Sequence, residues 1–313
     1  MKLYQLSPLV FLALITLLVA AKPNDRDPYL SKTFTIDGRG DLMVRTSGGS
    51  IEVEGQSGNR VEVDMFVKRN GSSGWFSSDD EDVAEYLEDY DIDISQNGNQ
   101  VIASAKRKGK GWGNNKISIS FKVRVPKDMS TDLNTSGGSI NVASVSGTHE
   151  VRTSGGSLTF EEVTGTTEAR TSGGSININD YQGTMDAKTS GGSIRVYDSE
   201  GQIAVNTSGG SIVIDDVRGS IEAYTSGGSI KADIRSLEDQ LTLKTSGGSI
   251  NAVIPAGLGL NLDLAGNRVN TELQNFSGRS EKNSIQGSMN GGGIDVTMRT
   301  SGGSVNLDYH SGS

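Results

Sequence analysis

Apolar and polar residues alternate in short runs along this chain, and the runs recur at a fixed distance. The string Thr-Ser-Gly-Gly-Ser begins at Thr46, Thr135, Thr153, Thr171, Thr189, Thr207, Thr225, Thr245 and Thr300, and the steps from Thr135 to Thr225 are all equal. With this Thr as repeat position 1, position 6 holds Ile140, Leu158, Ile176, Ile194, Ile212, Ile230 and Ile250, and position 8 holds Val142, Phe160, Ile178, Val196, Ile214 and Ala232. Position 17 is Val151, Ala169, Ala187, Val205 and Ala223, and position 15 is apolar at Met185, Ile203 and Ile221. Alternation of period two on both sides of Gly-Gly predicts two short strands per repeat. The Gly pair frees the backbone for the bend between them. A second bend is expected around the position-13 Gly: Gly147, Gly165, Gly183, Gly201 and Gly219.

Two architectures carry such a pattern. In an antiparallel meander, Gly-Gly would be a two-residue hairpin turn. In a parallel solenoid, each repeat is one coil and identical residues stack about 4.8 Å apart. The invariant spacing favours stacking. The fold class expected is therefore all-β, a single-stranded parallel β-solenoid (β-helix) of ~18-residue coils with an irregular N-terminal strand region. Its Thr and Ser ladders are expected to run hydroxyl to hydroxyl. A lipid-facing barrel is excluded, because Glu150, Arg152, Glu168, Arg170, Asp186 and Lys188 occupy outward positions.

The ends depart from the repeat. Leu9 to Ala21 is an unbroken apolar run behind Lys2, closing on Val19-Ala20-Ala21 before a polar stretch, the pattern of a secretory signal peptide cut before Lys22. The run is shorter than the ~20 residues that span a bilayer. Residues 31–69 alternate like strands leading to the first coil. Residues 70–116 read as an insert with a short helix from Asp82 to Tyr90 and a hairpin turning at Asn97-Gly98. The expected organisation is 1–21 signal peptide, 22–30 linker, 31–126 N-terminal β region with the insert 70–116, and 127–313 repeat solenoid with a C-terminal cap.

Composition narrows the chemistry. Among 313 residues, 42 are Gly, none is Cys and two are His, with a formal charge of −9 that becomes −10 once residues 1–21 are removed. Zero Cys excludes disulfides, thiol nucleophiles and Cys-based zinc sites. The acidic balance argues against binding a nucleic-acid backbone.

The N-terminal strands, the step Val125-Pro126-Lys127, the tandem Thr-Ser-Gly-Gly-Ser-Ile coils and the Asn290-Gly291-Gly292-Gly293 segment together resemble the bacterial putative-adhesin family, domain of unknown function 4097, over residues 31–310. The resemblance implies a β-solenoid of exported or envelope proteins and brings no catalytic residues. The insert lies outside it.

Candidate chemistry is sparse. The Gly-Gly motif lacks the Lys and helix of a phosphate loop. Position 10 holds Glu162, Asp180, Asp198 and Asp216, a column that either binds calcium through oxygen ligands or forms a solvated acidic edge. Positions 16 and 18 set an acidic ladder beside a basic one, read as surface charge pairing. The insert combines Trp75, Phe76 and Trp112 with Lys106, Arg107, Lys108 and Lys110, which form either a sugar-stacking or partner-binding surface or the insert's own core. The reading is a non-enzymatic exported protein with an adhesive, structural or scaffold role, no cofactor, no nucleic-acid partner and no transmembrane span in the mature chain. An envelope polymer, a polysaccharide or a protein are the partners it admits. The alternatives are a carbohydrate-active enzyme on a β-helix, which would need a unique acid pair, and a module of an envelope-stress or signalling system.

Overall fold

Each repeat folds as its alternation requires. A leading strand such as Ser146–Thr153 buries every second residue, the Thr-Ser-Gly-Gly-Ser turn follows, and a short trailing strand such as Leu158–Glu161 buries Leu158 and Phe160. A computed structural model describes residues 27–70, 75–76, 81–109 and 116–310; the expected signal peptide lies outside them. Among the described residues the fold is all-β apart from one short helix, Glu81–Leu87.

Leading strands pair in parallel with the leading strands of the coils above and below, residue on like residue: Thr153 on Thr171, Thr171 on Thr189, Thr189 on Thr207. Trailing strands do the same, with Ile140, Leu158, Ile176, Ile194 and Ile212 in one column. Positions 6, 8, 15 and 17 all point inward, and the first two are fully buried from Ile140 to Ile230. Burying one such side chain stabilises by about 1.5–3 kcal/mol, so the stack is held chiefly by these interior columns.

The sheets are not purely parallel, as the wholly parallel expectation had it. Antiparallel strands close both ends. At one end Tyr90–Asn97 pairs antiparallel with Gln100–Arg107, and Arg60–Arg69 with Ile117–Pro126. At the other, Ser284–Met289 pairs antiparallel with both Leu260–Ala265 and Phe276–Glu281. Reversed strands fill their hydrogen bonds without presenting a further repeat-like rung.

Stacking order also differs from chain order. Residues 31–69 do not simply lead to the first coil. Gly40–Thr46 and Ile51–Gln56 form a complete rung lying directly on the Thr135 rung, with Thr46 on Thr135 and Ile51 on Ile140. Outside it lies a rung made of Gln100–Arg107 and Ile117–Pro126. The second half of the segment read as an insert is thus a structural coil, burying Val101, Ala103 and Ala105. At the far end, Ile294–Thr300 slots between Ile230–Thr245 and Leu260–Ala265. The motif threonines from Thr46 to Thr300 consequently stand in one unbroken column, although Thr46 is remote in sequence from Thr135, and Thr300 from Thr245.

Two local expectations are corrected. The second corner begins at position 10, where Ser144, Glu162, Asp180, Asp198 and Asp216 adopt φ of 48–56°. The position-13 Gly comes later, inside the start of the leading strand. Polar Asp tolerates the left-handed region better than apolar residues do, which accounts for its recurrence there. The hydroxyl ladders run through backbone groups instead of hydroxyl to hydroxyl, with Ser50 Oγ to Ser120 Oγ at 3.3 Å as the exception among the described residues. Thr189 Oγ1 donates to the Gly174 carbonyl of the preceding coil at 2.7 Å and accepts from its own Gly192 N–H at 3.4 Å. From Ser139 to Ser249 the last Ser of the motif accepts from the N–H of its successor in the stack, as Ser175 Oγ does from Ser193 at 3.2 Å.

Candidate functional site

The outer face of the leading strands carries the site, and the strand parity puts it there. Positions 14, 16 and 18 point away from the buried 15 and 17, so each coil adds one residue to each of three exterior columns. Column 16 is acidic and column 18 basic through three consecutive coils. Arg152 pairs with Glu150 and reaches Glu168 at 2.9 Å; Arg170 lies 3.5 Å from Glu168 and 2.7 Å from Asp186; Lys188 lies 3.1 Å from Asp186. The result is one zigzag of alternating charge along the stack. Arg170 is the most enclosed of the three cations, and its Nη1 also donates to the Asp186 backbone carbonyl at 3.0 Å. Burial pushes the Asp186 carboxyl up, but hydrogen bonds and charge from Arg170 and Lys188 outweigh it and hold the group below its usual range. The acid therefore stays ionised and keeps its two cations in place.

Beside this zigzag runs an open groove of about 520 Å³. One wall is the column Asn134, Arg152, Arg170, Lys188 and Asn206; the other is the second residue of the motif, Ser154, Ser172, Ser190 and Ser208. These serines are exposed. The motif Thr and the fifth-position Ser both bond between coils, so the second-position Ser is the exposed hydroxyl column that faces this groove. Among the described residues no carboxylate lines the groove. The sequence held a signal for it, namely an invariant Ser with no interior role next to a basic column.

The residues singled out from the sequence are dispersed. Glu162, Asp180, Asp198 and Asp216 form the corner column described above. Glu162 accepts from Ser144 Oγ at 2.8 Å, Asp180 from Asn179 at 3.0 Å, and Asp216 pairs with Arg235 at 3.3 Å. Among the described residues no three His, Asp or Glu side chains assemble in a way that could hold a metal ion. Lys106 is exposed and Arg107 half-buried at the end of Gln100–Arg107. Lys108 donates to the Glu88 carbonyl at 3.0 Å and lies 3.5 Å from Asp91. A second groove of about 510 Å³ there is lined by Met43, Arg45, Ile102, Lys106 and Lys108 among others. Trp75 and Phe76 form a short strand against Lys68 and Val67, while Lys110 and Trp112 lie outside the described residues. The expected surface of aromatic and basic groups over 70–116 thus lies largely outside the described side chains.

Sequence reasoning overlooked one interior feature. His149 occupies the inward column 15 between Thr131 and Thr167 and is 1% exposed. Its Nδ1 lies 3.0 Å from Thr131 Oγ1, while Nε2 and the Thr167 hydroxyl have no hydrogen-bond partner. Burial lowers its pKa to about 4, with Arg39 adding to the effect and the Thr164 backbone opposing it.

Together these features define an all-β protein of stacked coils with a periodic polar exterior. The Toastrack DUF4097 family matches residues 34–308, and the chain belongs to that family. Among solved structures it is similar to a putative adhesin from Bacteroides fragilis NCTC 9343, at 10% identity over 90% of this chain and 96% of that one, with a TM-score of 0.40. It is also similar to a putative cell adhesion protein from Clostridium sporogenes ATCC 15579, at 8% identity over 90% and 99% of the two chains, with a TM-score of 0.22. No curated protein matches it.

Proposed function

We propose that this chain is an exported, non-enzymatic β-solenoid of the bacterial envelope that acts as an adhesive or scaffold protein through its long outer face. Export rests on the apolar run from Leu9 to Ala21 and its small-residue end, with the mature chain starting near Lys22. The observation that carries the reading is the repetition of the exterior. The hydroxyl groups recur once per coil and the charge pairs through three consecutive coils, which offers an extended partner several equivalent weak contacts. A catalytic centre instead demands one group unlike its neighbours, with a shifted pKa and access to substrate. His149 is shifted, but it is sealed in the core.

The test is co-sedimentation of the purified mature chain with isolated bacterial envelope, together with an assay for new reducing ends. Retention without release of sugars is expected. Release of reducing ends that grows with time would overturn the non-enzymatic reading, and absence of retention would overturn the adhesive one.

A further inference from the structure

We propose that the groove beside the Thr135–Thr207 coils binds a linear, β-linked acidic polysaccharide, with uronate carboxylates seated on Arg152 and Lys188. This rests on the adhesive reading and names the partner of that same face. Three observations carry it.

The first is charge. The chain bears −9 overall, yet the described groove lining holds two arginines, a lysine and no carboxylate. The balancing acids sit in column 16, two residues back along each strand; their carboxylates pair with the same cations at 2.7–3.5 Å but do not line the groove, so the groove side of each pair is its cationic side. A ligand in the groove meets the cations first.

The second is preorganisation. Glu168 and Asp186 each hold two cations, and the Arg170 guanidinium is also pinned to a backbone carbonyl. Rotamer entropy that a free surface Arg would lose on binding has already been lost in folding. Arg170 is the more fully committed, through Nη1 to the Ala169 and Asp186 carbonyls and Nη2 to the Asp186 carboxylate, which suits it to ring hydroxyls; Arg152 holds one acid on each terminal nitrogen and keeps further N–H groups for a carboxylate.

The third is period. Coils recur about every 4.8 Å, close to the advance per sugar of an extended β-1,4-linked glycan. Such a chain turns each sugar over relative to the last, so carboxylates on one side recur every second sugar. Arg152 and Lys188 are two rungs apart and match that recurrence. The intervening sugar then presents ring hydroxyls to Arg170 and Ser172. Asn134 and Asn206 end the basic column on either side with neutral amides, which sets a site of about four sugars. A phosphate polymer would use the same cations but has no need of the serine wall. Nucleic acid would need stacking surfaces, and no aromatic side chain lines the described groove.

The experiment is calorimetric titration of the mature chain with β-1,4-linked oligomannuronate, with a neutral β-1,4-glucan oligomer and polyphosphate as comparators. Oligomannuronate should bind, and binding should weaken as salt is raised. The variant R152Q/R170Q/K188Q should weaken it by about tenfold or more. The charge-matched variant R195Q/K231Q/R268Q, on the trailing-strand face, should leave it unchanged, and melting curves should verify that both variants are folded. Equal loss in the two variants would overturn the groove assignment. Polyphosphate binding as tightly as oligomannuronate would overturn the glycan as partner, leaving only attraction between opposite charges. If oligomannuronate does not bind while the chain still sediments with envelope, this inference fails and the adhesive reading stands.

Discussion

At the residue scale, the two glycines of the motif have different duties that the sequence does not distinguish. A Cβ on Gly192 would lie 2.1 Å from the Gly174 carbonyl oxygen of the preceding coil, whereas one on Gly191 would meet its nearest atom at 3.4 Å. Gly192→Ala is therefore expected to lower stability by roughly 3 kcal/mol or more, since backbone has to move in two coils, and Gly191→Ala by less than about 1 kcal/mol. Urea midpoints of the two variants check this, and equal midpoints would contradict the packing. His149 makes the second prediction at this scale. Its folded pKa of about 4 lies below the unfolded value of 6.5. The unfolded chain therefore binds the extra proton between those values. The contribution is intact above pH 6.5 and is lost as pH falls toward 4, to an extent of about 3 kcal/mol. His149→Met, which copies Met185 two rungs along, should be more acid-resistant than the parent by that amount. Stability measured from pH 7 to pH 4 in both chains reads it out. The parity of strand positions already placed residue 149 inside; the signal was a run of polar residues, Thr131, His149 and Thr167, in a column that turns apolar at Met185, and repeat averaging hides such a run.

At the element scale, the alternation in the chain predicted both strands of the repeat and their buried faces, because period-two patterning is set by local geometry. It placed the second corner at the Gly of position 13, which does have positive φ, but missed that the corner begins three residues earlier, at a non-Gly residue with φ of 48–56°. It also treated 70–116 as an appendage. That segment carries no motif, yet Gln100–Arg107 lies in register along Asp41–Thr46, and Tyr90–Asn97 covers it in turn. Arg69 and Ile117 are antiparallel partners, so the segment can be replaced by an Asn-Gly turn without straining its flanks. The shortened chain should expose the Gly40–Thr46 edge and self-associate through it. Size-exclusion chromatography should show oligomers, and hydrogen exchange should quicken first in the Thr46 rung. A monomer with an unchanged exchange pattern would mean that the segment is dispensable to the stack.

At the scale of the whole molecule, identical coils specify that they stack but not which copy lies on which. A Thr-Ser-Gly-Gly-Ser rung makes the same staple with any neighbour, so the repeat alone cannot tell that Thr46 joins Thr135 directly or that Thr300 joins Thr245. The antiparallel ends settle the order, and they are the least repetitive parts of the chain. The serine groove escaped notice for a related reason, as it exists only when several coils are placed side by side. This interleaving governs time as well as shape. When the Thr46 rung leaves the ribosome, neither of its final neighbours has been made. The Thr135–Thr225 coils, by contrast, each find a partner in the very next repeat. Loops so short close readily, and the central coils are the natural nucleus, with the outer rungs captured later across longer loops. Ile194→Val should therefore mainly slow refolding, while Met298→Ala, in the Thr300 rung, should mainly hasten unfolding. Stopped-flow chevrons of the two variants would show this division, and the reverse assignment would place the nucleus at the ends. The Thr46 end can close once the Thr135 rung has been made, but the far end stays open until Ile294–Thr300 emerges, so the last residues synthesised are the ones that lock the stack.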